Sequence, residues 1–145
     1  MRKQIWLTLS LATLATPLWA EDTALTGNWI TPDHSIVSVY PCGPQSVCAK
    51  LVWIRDSAAK DDNNPTESLR TRPLCGLQIG SDFGMTDATH AKNGRIYDPD
   101  SGNTYTASMV ASDSELKVRG YVGVALLGRT EVWHRTQEPI EACTP

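Results

Sequence analysis

The sequence predicts an all-β fold, a single antiparallel barrel of about eight strands. Three observations predict it. From Leu25 onward, short runs of β-forming residues are separated by turn residues. No window of about a dozen residues keeps the 3.6 period of a helix. The runs follow one another at hairpin spacing, as an up-and-down meander requires, and closing such a meander removes its exposed edges. A two-sheet sandwich is the other architecture compatible with this pattern.

Gly27 to Thr31 opens the first strand, and Pro32-Asp33-His34 turns it into a second, Ser35 to Tyr40. The Pro41-Cys42-Gly43-Pro44 turn leads to a third strand, Val47 to Arg55, where Leu51 and Trp53 alternate with Val52 and Ile54, so both faces are partly apolar. A long loop at about residues 56–73, rich in Asp, Asn, Ser and Thr, follows. Its length marks it, because unstructured connections beyond about 12–15 residues are uncommon in compact domains. Pro73 to Ile79 reads as the fourth strand, and the looser Gly80 to Asn93 as irregular chain with a helical turn near Asp87 to His90. Gly94 to Tyr97 makes the fifth strand, and Asp98 to Asn103 is a tight turn in which Gly102 supplies a positive φ. Thr104 to Val110 is the sixth, with Tyr105, Ala107 and Met109 on one face. In the seventh, Leu116, Val118 and Val122 oppose Lys117, Arg119 and Tyr121, and Gly120 and Gly123 suggest a bend. The eighth runs from about Leu126 to Arg135.

The first twenty residues have the order of a secretory signal peptide. Arg2 and Lys3 precede an apolar run from Ile5 to Leu18, with a cleavage point after Ala20. The run is shorter than the roughly 20 residues a spanning helix needs, so no membrane span is expected after cleavage. Residues 21–145 then form one barrel domain, expected in the periplasm or secreted. The net charge of −3 gives no reason to expect nucleic acid or an anionic membrane as partner.

The four cysteines, Cys42, Cys48, Cys75 and Cys143, all lie in the exported part. In an oxidising compartment an even count reads as disulfides, and three pairings are conceivable. Short separation and the Gly43-Pro44 turn favour Cys42 with Cys48, which leaves Cys75 with Cys143. No C-x-x-C pattern points to zinc. The acids of the loop lack the glycine and terminal glutamate of a calcium-binding loop. No metal or cofactor is expected.

Several segments together resemble the bacterial exported family called domain of unknown function 2147. They are Ile36 to Gly43, Asn64-Pro65 with Leu69 to Gly76, Gly94 to Pro99, Gly102 to Tyr105, Leu116 to Gly123 and Leu127 to Trp133. The resemblance implies a lipocalin-like barrel, exported, with no established activity. Gly27-Asn28-Trp29 is similar to the Gly-x-Trp opening of lipocalins, which implies an arginine of the last strand, Arg135 or else Arg129, packed over Trp29 to close the floor.

An eight-stranded barrel is wide enough either to be filled by its own side chains or to hold one small ligand. Trp29, Trp53, Tyr105, Tyr121 and Trp133 recur at strand positions and either line an apolar pocket or form the core. Arg70 and Arg72 have period-two spacing. They either fork onto a ligand's carboxylate or phosphate or pair with loop acids such as Asp61, Asp62 or Glu67. Arg95 and Arg119 are candidates for a polar network inside the barrel. His34, His90 and His134 are scattered, with no nucleophile motif beside them, so no catalytic constellation is found. The reading that follows is a binder of a small apolar or amphipathic molecule. The alternative is a module that binds another exported protein through its loops and outer face. In either case a braced loop at 56–73 suits a fixed rim, and a ligand is expected to enter past Ser81 to Lys92.

Overall fold

The computed structural model describes residues 23–137 together with 141 and 143. The signal-peptide expectation lies outside the described residues. Eight strands form a closed antiparallel barrel in sequence order: β1 Gly27–Ile30, β2 Ile36–Gly43, β3 Ser46–Trp53, β4 Gln78–Met85, β5 His90–Asp98, β6 Asn103–Ala111, β7 Glu115–Tyr121 and β8 Arg129–Thr136. β1 closes on β8 with Trp29 opposite Arg135. Two short 3-10 turns, Glu67–Leu69 and Ala125–Leu127, lie in loops. The barrel, and not the sandwich, is the architecture.

Alternation places the core. Val37 and Val39 of β2, Val47, Ala49 and Leu51 of β3, Ala107 and Met109 of β6, and Leu116 and Val118 of β7 all point inward. Because successive strands reverse direction, the β2–β3, β4–β5 and β6–β7 turns gather at one end, and the other four connections gather at the opposite end. The first end is closed. Residues 23–26 cross it, with the Ala24 amide donating to the Ala88 carbonyl at 3.0 Å. Leu25 is fully buried there, and the Trp29 indole donates to its carbonyl at 3.1 Å. The Arg135 guanidinium stacks over Trp29, 4.0 Å from the ring centroid. It also donates to the carbonyls of Thr26, Ala24 and Asp113. This is the floor expected from Gly-x-Trp, with Arg135 and not Arg129 as its arginine.

The stretch read as irregular is regular. The fourth strand, expected over Pro73 to Ile79, is β4 at Gln78–Met85, so it begins where it was expected to end, and β4 and β5 fill most of 80–93, joined by a tight bend at 86–89. No helical turn forms near Asp87. Its carboxylate instead accepts the backbone amides of Thr89 and His90, and with the His90 ring beside it is held down to about 2. Two features hid β4 and the start of β5 from pattern reading. Asp82 and Asn93 adopt left-handed φ of 60° and 58°, which breaks the period of two. Gly80 and Gly94 stand where inward side chains would be, and the Phe83 ring fills their space, so a Cβ on Gly94 would lie 2.3 Å from it. Gly94→Ala should therefore destabilise by about 1–3 kcal/mol through overpacking. Urea denaturation should show a smaller cost in a Phe83→Leu background, because the clash is with that ring.

Both disulfides form in the expected pairing, Cys42–Cys48 and Cys75–Cys143. Such bonds persist in an oxidising compartment, which fits an exported protein. Among the described residues no helix is long and apolar enough to cross a membrane.

Candidate functional site

The core fills the closed half of the barrel and leaves the open half hollow. Past Val118 and Trp133 the inward positions pass to Gly120, Glu131 and Arg129, which cannot close the space between the strands. A cavity of about 390 Å³ results. Ile96, Tyr105, Val118, Leu127 and Trp133 supply apolar wall, and Asp98, Arg129 and Glu131 supply charge. A second cavity of about 240 Å³ lies beside it under the β1–β2 turn and the long loop, and shares Ile96, Asp98, Glu131 and Trp133 as a common wall.

The polar groups are placed by turn chemistry and strand parity. Asp98 ends β5, where its carboxylate accepts the Asp100 amide at 3.0 Å and the Ser101 hydroxyl at 2.6 Å. Glu131 accepts the Trp133 indole N–H at 3.0 Å, which holds both side chains against one wall. Arg129 forms no ion pair among the described residues. Asp33, in the second cavity, is raised by burial but lowered further by the hydroxyls of Ser35 and Thr31, and lies below the usual carboxylate range.

The long loop braces one side of the mouth. The Asp61 amide donates to the Arg72 carbonyl, and a bridge pairs Lys60 with Pro73. The Asp61 carboxylate is fully buried and accepts from the Tyr97 hydroxyl and from Asn64 Nδ2 at 2.8 Å. Arg72 places both Nε and Nη2 on a single oxygen of it, at 2.8 and 2.7 Å. Burial raises this carboxyl, but those hydrogen bonds and the Arg72 charge outweigh it and hold the group below the ordinary value. Burial and the adjacent Asp61 raise Tyr97, so it remains a neutral donor. Asn63 Nδ2 reaches the carbonyls of Pro99 and Asp100, tying the loop to the β5–β6 turn. Gly102 permits this approach: its φ is +71°, and a Cβ there would sit 2.0 Å from the Asn63 carbonyl oxygen.

Of the residues singled out from sequence, Tyr105, Tyr121 and Trp133 come together around the larger cavity. Trp29 is at the floor. Trp53 lines neither cavity, because the β2–β3 register shift between Leu51 and Trp53 leaves Val52 as an extra residue and breaks the alternation. Arg72 belongs to the loop network, and Arg70 donates to the Asn64 carbonyl at 2.8 Å and not to a loop acid. Arg119 faces outward, since Val118 beside it faces in, and donates to Thr130 and to the Leu126 carbonyl. Arg95 is exposed. Neither arginine joins an internal network. The expected entry past Ser81 to Lys92 is also corrected: that stretch spans the closed end, sealed by residues 23–26, and the opening lies at the other end.

Asp98, Arg129 and Glu131 were missed. The signal was available, since Arg129 and Glu131 share the parity of Trp133, and Asp98 that of Ile96.

A family model described as an uncharacterized protein conserved in bacteria, DUF2147, matches residues 27–135. No curated protein matches the sequence. Among solved structures, the chain is similar to protein HP1028 from the human pathogen Helicobacter pylori, described as belonging to the lipocalin family. The TM-score is 0.70 and the identity 24%, with 79% of this chain and 84% of that one covered. At that identity the likeness is one of fold.

Proposed function

We propose, from the premise that the chain belongs to the bacterial family DUF2147, that it binds a small amphipathic molecule in the mouth of a lipocalin-like barrel, in the periplasm or after secretion. The observation that carries this reading is the cavity of about 390 Å³. It falls within the roughly 300–1,000 Å³ of small-molecule sites and combines a mostly apolar wall with a few converging polar groups. The apolar part of the ligand lies against Ile96, Val118 and Trp133. Its polar end meets Arg129, which suits an anion, and Asp98 and Glu131, which accept from hydroxyl or amine donors. A module acting only through its loops is expected to have a filled interior, so the cavity favours the ligand reading.

Gly120 offers a test that spares the fold. A Cβ there would meet Tyr105 at 3.5 Å and Ile96 at 3.9 Å, ordinary contacts, with the cavity beyond. The parent protein should enhance the fluorescence of anilinonaphthalene sulfonate, an amphipathic anion. Gly120→Leu should weaken that binding by about tenfold or more by occupying apolar space, with an unchanged far-ultraviolet spectrum. Equal binding by the two proteins would place the dye elsewhere and remove the cavity from the account.

A further inference from the structure

The β7–β8 connection is unlike the rest of the surface. Among the described residues, six large hydrophobic side chains are exposed. Leu69 and Val110 are only 39% and 40% exposed, whereas Val122, Val124, Leu126 and Leu127 of this one loop are 77%, 58%, 87% and 81% exposed. The loop is nevertheless shaped. Its last turn is 3-10, the Leu127 amide donates to the Val124 carbonyl at 3.2 Å, and Arg119 donates to the Leu126 carbonyl at 3.2 Å. A braced loop that holds leucines in water is unfavourable unless something covers them.

We propose that this loop docks the protein on the surface of an anionic phospholipid bilayer, with the four apolar side chains among the acyl chains. Two observations select a lipid surface over other apolar partners. The first is charge: residues 116–130 contain Lys117, Arg119 and Arg129 and no acid, although the whole chain is net acidic. Arg119 and Arg129 stand at the feet of the loop, where Gly120 pairs with Arg129 and Arg119 with Thr130. An apolar tip with a basic collar is the pattern that sits at a headgroup boundary. The β1–β2 and β5–β6 turns carry an acid and no lysine or arginine, Asp33 and Asp100, and the long loop balances Asp56, Asp61, Asp62 and Glu67 against Arg55, Lys60, Arg70 and Arg72, so only this side of the rim combines basic residues with no acid between them. The second is continuity. Val122 and Leu127 are exposed and also line the larger cavity, so a docked barrel would present its mouth to the acyl region along an unbroken apolar path.

Val124 and Leu126 do not line the cavity, which separates docking from ligand binding. The chain from residue 21 onward, carrying the whole barrel and both cysteine pairs, should co-sediment with vesicles of phosphatidylethanolamine and phosphatidylglycerol, less with pure phosphatidylcholine, and less at high salt. Val124→Ser with Leu126→Ser should reduce vesicle binding by about tenfold or more while dye binding in the cavity is kept. Equal sedimentation of parent and variant, or none by the parent, would overturn the proposal. So would a parent dimer in sedimentation velocity that the variant abolishes while neither binds vesicles, since a second copy would then cover the loop. Loss of dye binding in Gly120→Leu with vesicle binding intact is expected, because docking does not depend on a filled cavity.

Discussion

Replacing Asp61 by alanine should cost about 3–5 kcal/mol, the range for removing one partner of a buried ion pair, and toward its lower end because water partly reaches Arg72. The Arg72 side chain is 34% exposed, whereas Asp61 has no exposure. The substitution leaves the Tyr97 hydroxyl, Asn64 Nδ2 and two nitrogens of Arg72 without their acceptor, and it removes what fixes the loop against β5. The effect depends on pH with a definite sign. The folded-state pKa of Asp61 is lowered, so its contribution is fully present above the unfolded value of about 3.9 and is lost as pH falls through the folded value. Chemical denaturation of the parent and of Asp61→Asn should give a stability gap at neutral pH that narrows in acid. A gap that stays constant would mean that the carboxylate charge is not what holds the loop.

Removing the Cys75–Cys143 disulfide by a double serine substitution should cost about 4 kcal/mol on the chain-entropy model. The link spans 68 residues. It joins the exit of the long loop to Cys143, whose amide donates to the Val52 carbonyl at 2.8 Å, placing that residue beside β3. The Cys42–Cys48 link spans only 6 residues, and its removal should cost about 2 kcal/mol. Denaturation midpoints of the two double variants should fall in that order. The reverse order would mean that the tail link is strained or that its loop is already restricted in the unfolded chain.

Closure, strand count and disulfide pairing were legible because each rests on local signals, the hairpin spacing and the short Cys42 to Cys48 separation that leaves Cys75 with Cys143. The floor was legible through the resemblance of Gly27 to Trp29 to the lipocalin opening, which implied an arginine of the last strand. β4 and the start of β5 were not legible, because left-handed Asp82 and Asn93 break the alternation and Gly80 and Gly94 make room for the Phe83 ring, and such compensation is visible only in three dimensions. The aromatic set divides between core and cavity for a related reason. Period two places Tyr105 and Trp133 inward, but it does not say which inward residues lie in the packed half and which in the hollow half, and Trp29 fell in the former. A single bulge took Trp53 out of the alternation. The charged lining was overlooked because Asp98 looked like turn chemistry and Arg129 like a floor arginine, and each residue type has more frequent uses than lining a cavity.

The central claim, an open cavity that takes a small amphipathic molecule, is tested most directly by native mass spectrometry of protein isolated from its own host under non-denaturing conditions. The account expects a parent ion carrying a small organic adduct, released on collisional activation, and a Gly120→Leu ion at the bare polypeptide mass. An adduct retained equally by both proteins, or a bare parent ion, would contradict it.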